Sequence, residues 1–251
     1  MASTGPSGTE GYSEEAEALV RQYESISFAD VHGWAMHLFP PPPARVLDIG
    51  AGTGRDAAGF AALGHRVTAV EPTAELRARA IELHASPRIE WLDDGLPELP
   101  VLFGRGGAFD VVVLTAVWMH LDERQRRRAM PRVAALVRPG GVVAMSLRHG
   151  PVPRGRRMFE VTAAETMGLA RAQAMACVHH SEAGDGLLNR PGVTWDRLVW
   201  VAAAPGVRRG RAEARDPGLF SCWSQTWRPI EQEWFERAQP WRGADLVWVN
   251  A

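Results

Sequence analysis

The sequence contains no lysine, because all 28 of its basic residues are arginine. This absence excludes a lysine general base and a lysine Schiff base. The two cysteines, Cys177 and Cys222, lie far apart without the spacing of metal ligands, which argues against a disulfide framework and a zinc site and favours a reducing cytoplasm. No apolar run approaches the roughly 20 residues of a membrane-spanning helix, and residues 1–11 lack the basic and apolar regions of a signal peptide. We therefore expect a soluble, cytoplasmic protein.

The sequence also lacks an excess of charge of either sign. The 28 basic residues face 29 acidic ones, and the formal net charge is −1. This balance gives no overall attraction to nucleic acid or to an anionic membrane. The chain has 251 residues, of which 46% are hydrophobic, and that is enough for one sizeable α/β core.

The most informative stretch is Val46–Asp56, which reads VLDIGAGTGRD. A short apolar run enters a loop with alternate glycines, and a helix of small residues follows from Arg55. Glycines permit a sharp turn and let a ligand approach the backbone, and a helix N-terminus carries partial positive charge. The stretch predicts the first βα unit of a nucleotide-binding sheet. Asp48 before the loop and Glu71 after the next apolar strand support this interpretation.

The spacing of the glycines indicates which nucleotide. A dinucleotide fingerprint places its third glycine three residues after the second, and here that position is Arg55. The pattern Asp48-x-Gly50-x-Gly52-x-Gly54 instead resembles motif I of class I S-adenosylmethionine (SAM)-dependent methyltransferases. Phe109–Val113 and Pro139–Val142 also open the fourth and fifth strands as they do in that family. The resemblance covers roughly residues 44–201 and implies SAM as the cofactor.

The resemblance implies an α/β fold with a doubly wound, mostly parallel seven-stranded sheet that ends in an antiparallel hairpin. Alternating strand and helix patterns support the parallel part. Ala176–His180 and Val193–Ala202 have no helix between them and predict the hairpin. We divide the chain into an N-terminal tail and helical cap (1–43), a SAM-binding core (44–204) and an extension (205–251). The extension is rich in Arg and Trp, and we expect it to pack on the core rather than to bind a partner.

The helical cap contains two predicted helices, which begin near Ser13 and Ser27. Two interpretations of the cap stay open: a lid over the substrate and a cover for a sheet edge. Further along the chain, Pro131 interrupts a helical pattern that starts at Asp122. Because proline removes a helix donor, we expect a kink or break there and a separate turn over Val133–Val137.

The resemblance also assigns residues to the cofactor. Glu71 offers two acceptors to the ribose diol, Asp93 or Asp94 accepts from the adenine amine, and Leu92 or Leu96 stacks on the ring. The full expected set is Asp48, Gly50, Ala51, Gly52, Gly54, Arg55, Asp56, Glu71, Pro72, Asp93, Asp94, Leu96, Thr115 and Ala116. No metal is expected.

His120, after the fourth strand, is the candidate general base, because an imidazole can accept a proton near neutral pH. A structural role for His120 stays open, since that role is common in the family it resembles. The residues expected to hold the acceptor are Tyr12, Tyr23, Trp34, Arg148 and His149. Arg148 offers a fork to a carboxylate. The arginines at 154, 156 and 157 form either a second anion-binding cluster or a solvated turn.

These features predict an enzyme that transfers a methyl group from SAM to an O or N atom of a small molecule. The Asp/Asn-Pro-Pro-aromatic run of nucleic-acid adenine methyltransferases is missing after the fourth strand, so a nucleic-acid acceptor is disfavoured. Two alternatives stay open: a non-catalytic SAM-binding sensor, and a protein or RNA methyltransferase. The arginine clusters and the Trp-rich extension favour the second of these. The sequence leaves the acceptor and the oligomeric state open.

Overall fold

The structure is a computed structural model that describes residues 8–203. The predicted extension, with Cys222, lies outside the described residues. Cys177 is exposed with a free thiol. In the part of the chain that the structure describes, no helix has both the length and the apolar character needed to cross a bilayer. The cytoplasmic location stays a prediction from composition.

Helices and strands alternate along most of the chain. The helices are α1 (Ala16–Tyr23), α2 (Phe28–His32), α3 (Arg55–Ala62), α4 (Ala74–Leu83), α5 (Pro100–Arg105), α6 (Glu123–Leu136) and α7 (Ala163–Ala172). The strands are β1 (Arg45–Ile49), β2 (Arg66–Val70), β3 (Ile89–Leu92), β4 (Phe109–Thr115), β5 (Val137–His149), β6 (Met175–Gly184) and β7 (Thr194–Ala202). Short 3-10 turns occupy Met36–Leu38 and Trp118–His120.

One seven-stranded sheet runs through the described residues in the order β3-β2-β1-β4-β5-β7-β6. The pairs among β1 to β5 are parallel, and β7 runs antiparallel to both β5 and β6. This confirms the predicted fold class and the closing hairpin. The order reverses between β1 and β4, and in doubly wound sheets ligands bind at the carboxyl edge of such a reversal.

The sheet is covered on both faces, as the apolar sequence of β4 requires. Val111 and Val113 pack on the side of α3 with Phe60, whereas Val112 and Leu114 pack on the side of α6. Successive residues of a strand point to opposite faces, so an unbroken apolar run fills both layers of core.

The predicted break at Pro131 is wrong, because α6 continues through it from Glu123 to Leu136. Asp122 begins the helix with a capping box to Gln125. A proline inside a helix costs about 3 kcal/mol, but each large apolar side chain that is fully buried stabilises by about 1.5–3 kcal/mol. Met130 and Val133 flank Pro131 and are 1% and 0% exposed. Their burial therefore outweighs the lost hydrogen bond.

The two helices of the cap differ in how they join the core. The Ser27 side chain caps α2 as predicted, and Phe28 fills the space beside Gly59, where an added Cβ would lie 2.2 Å from the ring. Ala35 and Leu38, which follow α2, belong to the α3-side core. In contrast, α1 begins after Glu15 rather than at Ser13. The α2 segment is therefore part of the core.

Candidate active site

A cavity of about 580 Å³ opens where β1, β2 and β4 end, a size typical of small-molecule sites. Its inner wall, the glycine-loop half, is formed by Gly50, Gly52 and Glu71. Its outer wall, the arginine half, is formed by Tyr12, Arg148, Arg190 and Trp195. Residues of α1 and of the segment before it line the outer side.

The three loop glycines have positive φ angles but different surroundings. Gly52 has φ +55°, and an added Cβ would meet nothing within 4 Å, so this position faces open cavity. An added Cβ on Gly50 would lie 2.6 Å from the Val117 side chain. On Gly54 it would lie 2.8 Å from Trp91, and Gly54 does not line the cavity. Gly54 therefore makes room for a core side chain, unlike the ligand contact expected of it.

Glu71 joins the end of β2 to the glycine loop. Its carboxylate accepts hydrogen bonds from the backbone N–H of Gly52 and from that of Thr73, each at 2.8 Å. Burial raises the pKa of Glu71, and these backbone donors oppose that rise. Each carboxylate oxygen keeps a second lone pair for a further donor. The side chain thus braces the loop and still has acceptors to offer.

Asp48 lies behind the loop and outside the cavity wall. It is 1% exposed, and its Oδ2 has no hydrogen-bond partner in the described part of the chain. Burial and the nearby Asp56 carboxylate raise the pKa of Asp48 well above its usual range. Asp56 lines the cavity and contacts His32 at 2.9 Å and Arg55 at 2.7 Å. Burial opposes its ionisation, but these two partners hold the pKa of Asp56 far below its usual range.

The two aspartates expected near the adenine do not line the cavity. The Asp93 side chain is 69% exposed and pairs with Arg77 at 2.9 Å. Asp94 is buried and accepts hydrogen bonds from the backbone N–H of Gly95 and of Leu102. Its carboxylate thus fixes the turn into α5. Of this region, Gly95 and Leu96 reach the cavity.

His120 lines the cavity with both ring nitrogens engaged. Nδ1 lies 2.8 Å from the Arg157 carbonyl oxygen, which can only accept, so Nδ1 carries the proton. Nε2 therefore accepts from the Tyr12 hydroxyl at 3.0 Å. Burial lowers the pKa of His120, which keeps the ring neutral, and burial raises the pKa of Tyr12, which keeps the phenol protonated.

Of the residues expected to hold an acceptor, Tyr12, Tyr23, Trp34 and Arg148 line the cavity, and His149 does not. Neighbouring residues of a strand point to opposite faces, so β5 cannot direct both Arg148 and His149 inward. His149 Nε2 instead contacts Asp196 Oδ2 at 2.8 Å. The other oxygen of Asp196 binds His180 at 2.6 Å.

The connection between β6 and β7 supplies site residues that the sequence analysis did not single out. Arg190 and Asp185 form a two-pronged ion pair with both contacts at 2.8 Å, and Trp195 donates its ring N–H to Asp185 at 2.9 Å. All three line the cavity. In the sequence Asp185 and Arg190 stand in a Gly- and Asn-rich loop with no periodic pattern, and Trp195 stands near the start of the last predicted strand, so only the folded hairpin brings them together at the site.

Comparison with known proteins adds to this geometry. Residues 46–141 match the model of a family described as a methyltransferase domain. An uncharacterized methyltransferase of Mycobacterium tuberculosis is 38% identical over 113 residues, which cover 42% of this chain and 54% of that protein. A ubiquinone biosynthesis O-methyltransferase of Albidiferax ferrireducens is 32% identical over 117 residues, covering 45% and 44%. This chain thus spans about half the length of the curated relatives that it matches.

A solved structure agrees over a longer range. It is the 1,6-didemethyltoxoflavin-N1-methyltransferase of Burkholderia thailandensis with bound 1,6-didemethyltoxoflavin and S-adenosylhomocysteine. The two chains are 25% identical with a TM-score of 0.53, over 76% of this chain and 89% of that one. Residues 46–141 therefore match a methyltransferase domain, and the fold around them is similar to that of the class I SAM-dependent methyltransferase superfamily.

The residues present fit the cofactor of that superfamily. The open space at Gly52 is a cradle that any side chain would fill. Beside it, Glu71 keeps free lone pairs that suit the two hydroxyls of a ribose. Asp48 lies outside the cavity wall, and its buried Oδ2 has no hydrogen-bond partner within residues 8–203, so this carboxyl group can still pair with a further polar group.

Proposed function

We propose that this protein transfers a methyl group from SAM to an O or N atom of a small molecule. The observation that carries the proposal is that the glycine-loop half and the arginine half share one cavity. A cofactor and an acceptor can then meet in that cavity. In this proposal α1 and the segment before it, residues 8–23, which we call the cover, exclude water from the reaction. When bound, SAM supplies an electrophilic methyl group on a positively charged sulfur.

In this proposal the glycine-loop half positions the cofactor. The backbone at Gly52 lets the ligand approach closely, and Glu71 accepts from the ribose hydroxyls. The surrounding wall contains Gly50, Ala51, Arg55, Asp56, Pro72, Leu96, Thr115 and Ala116. Asp48 acts from behind the loop, Gly54 acts through packing, and Asp94 holds the turn that carries Leu96.

The arginine half holds the acceptor. Where the acceptor must lose a proton, the Tyr12 oxygen receives it as the Tyr12 hydroxyl proton passes to His120 Nε2. The Nδ1–H of His120 keeps its hydrogen bond to the carbonyl oxygen of Arg157, and this bond orients the ring. His120 thus acts through Tyr12 rather than by touching the acceptor, a more specific role than the general base predicted from sequence.

A small acceptor is favoured over a protein or RNA chain because α1 and the segment before it form part of the cavity wall and narrow the access to it. Arg156 joins the cover to the loop after β5, with a 2.6 Å ion pair to Glu15 and its guanidinium 3.8 Å from the centre of the Tyr12 ring. The two named relatives support both acceptor atoms, since one is an O-methyltransferase and the other an N-methyltransferase.

The test is incubation of the purified protein with isotopically labelled SAM and a cell metabolite extract, followed by mass spectrometry. We expect a labelled small molecule that protease and nuclease leave intact. Label in a protease- or nuclease-sensitive fraction would favour a macromolecular acceptor. Binding of SAM by calorimetry without any transfer would favour the sensor alternative.

A truncation tests the cover. Removing residues 1–38 would also remove Ala35 and Leu38 from the core, so the shorter deletion of residues 1–14 is the sharper variant. It removes Tyr12 and leaves α1. We expect unchanged S-adenosylhomocysteine affinity and loss of label transfer. Full transfer by the truncated protein would assign the segment a purely structural role.

A further inference from the structure

Arg148 is a buried cation that makes no ion pair within the described part of the chain. The residue is 7% exposed, and within residues 8–203 no carboxylate forms an ion pair with it. Its Nη2 donates to the Pro151 carbonyl oxygen at 2.9 Å, and its buried Nε has no hydrogen-bond partner among these residues. A buried charge without a partner is strongly unfavourable, and proteins retain such a group where a ligand supplies the missing charge.

Other buried arginine side chains of the described chain show the usual arrangement. Arg126 is 3% exposed and holds both oxygens of Glu165, at 2.8 and 2.9 Å. The Arg156 side chain is 4% exposed and pairs with Glu15. Arg148 therefore departs from how this protein buries arginine elsewhere, and it does so on the wall of the cavity.

The surroundings of Arg148 destabilise its positive charge further, which favours the binding of an anion beside it. Burial lowers the pKa of Arg148, and the positive charge of Arg190 lowers it further. Arg190 is already paired with Asp185, so that carboxylate is committed to another cation. An anion that enters this part of the cavity would meet the guanidinium of Arg148, which has no carboxylate partner within residues 8–203. It would also lie near the guanidinium of Arg190, which is paired with Asp185.

Much of the remaining wall is apolar and aromatic, beside charged side chains that include Glu15, Arg156 and Arg197. Met119, Met158, Leu187 and Trp195 line the same cavity, with the rings of Tyr12 and Tyr23. Sulfur and aromatic side chains pack well on flat apolar groups. The occupant that fits both features is a flat, largely apolar molecule with one negatively charged end.

We propose that Arg148 binds a carboxylate of the methyl acceptor, so that the acceptor is a small aromatic acid. This inference rests on the proposed function and deepens it. The guanidinium of Arg148 donates to the carboxylate oxygens and orients the ring of the acceptor between the cofactor and Tyr12. The competing assignment is that Arg148 binds the carboxylate of the cofactor itself, and the experiment separates the two.

The test uses protein saturated with S-adenosylhomocysteine and three probe pairs: 4-hydroxybenzoate, 3,4-dihydroxycinnamate and indole-3-carboxylate, each beside its neutral amide. Binding is measured by calorimetry. We expect at least one acid to bind the unmodified protein tenfold or more tightly than its amide. Arg148→Met should abolish this preference, and Arg148→Lys should keep part of it because the charge remains without the fork. Arg154→Met is the matched control, since Arg154 is exposed in the nearby loop and lies off the cavity wall.

Each other outcome has a definite meaning. If no acid is preferred over its amide, or if Arg148→Met keeps the preference, the carboxylate assignment is overturned. A tenfold loss of S-adenosylhomocysteine affinity in Arg148→Met would move Arg148 to the cofactor and overturn it too. If the unmodified protein does not bind S-adenosylhomocysteine, the proposed function itself fails before the acid probes are used.

Discussion

In the glycine-loop half of the cavity the Glu71 carboxylate already accepts two backbone hydrogen bonds, whereas in the arginine half the buried Arg148 forms no ion pair with a carboxylate of residues 8–203. Glu71 binds two backbone N–H groups, and all of its partners lie within the stretch from β1 to the start of α4. Arg148 shares its wall with residues from the N-terminus and from the β6–β7 connection. The first half is complete within one local unit, and the second is assembled from distant parts of the chain.

The difference follows from what each half has to bind. A ribose and its neighbours can be held by backbone groups and one braced carboxylate, which a short strand–loop–helix unit provides. An acceptor of particular shape and charge needs side chains that converge from several directions. The halves should accordingly respond differently to mutation, and four experiments test this.

The largest effect is expected in the glycine-loop half. Gly52→Val should weaken S-adenosylhomocysteine binding by about 100-fold or more, because a branched side chain would fill the cradle and a positive φ strains a non-glycine residue by about 1–3 kcal/mol. Calorimetry measures the change. Gly168→Val, at an exposed and open helical position, is the control and should bind normally. Normal binding by Gly52→Val would show that the loop is not the site.

The next experiment contrasts two buried arginines by thermal unfolding without ligand. Arg126→Met should cost about 2–3 kcal/mol, because it leaves the partly buried Glu165 unpaired. Arg148→Met should cost nothing or stabilise by about 1 kcal/mol, because it removes an uncompensated buried charge. Equal losses in both variants would mean that Arg148 is a structural residue and that the arginine half is no different from the rest of the core.

Glu71→Ala should weaken the binding of S-adenosylhomocysteine by about tenfold or more, since each hydrogen bond to a charged acceptor contributes about 1.5–3 kcal/mol to the free energy of binding. Glu71→Gln separates charge from bracing, because its amide oxygen can still accept from one backbone N–H. Both variants should leave binding of an acid probe at Arg148 intact. An unchanged dissociation constant for S-adenosylhomocysteine in Glu71→Ala would exclude the ribose role.

The smallest effect concerns pH. Burial lowers the pKa of His120 in the folded protein, so below its ordinary value of about 6.5 the unfolded chain binds a proton that the folded ring resists. Folding stability therefore falls as pH drops through about 6.5. In His120→Gln the melting temperature should fall less between pH 7.5 and 5.5, by on the order of a degree or two. His65 and His179, whose pKa values are also lowered by burial, are common to both proteins. Parallel melting curves would contradict a buried neutral His120.

The strand and loop signals in the sequence led to the correct sheet because they are local. Phe109–Val113 was predicted to open the fourth strand and lies in β4, and Ala176–His180 was predicted as a strand and lies in β6. The break predicted at Pro131 failed for the opposite reason. A local rule assigned a cost there, and the burial of Met130 and Val133, which depends on the rest of the fold, outweighed it.

The residues of the candidate site also fall into those that local sequence indicates and those that depend on the rest of the fold. The alternate glycines and Glu71 could be assigned from the sequence because the stretch from β1 to the start of α4 creates their geometry. Gly54 belongs to the same pattern, yet its role depends on Trp91, which lies far along the chain. Tyr12 was a candidate on chemical grounds, but its bond to His120 joins residues 108 positions apart and has no sequence signal.

The sequence by itself therefore determined the order of strands and helices, the closing hairpin and the loop suited to a nucleotide, because these follow from local periodicity and glycine spacing. Only the tertiary structure decided that Arg148 faces the cavity while His149 turns away to Asp196. It alone decided that, among the residues that the structure describes, Arg126 has a carboxylate partner and Arg148 has none. Burial and ion pairing depend on which distant residues the fold brings together, and two arginines of the same chemistry acquire different roles from that alone.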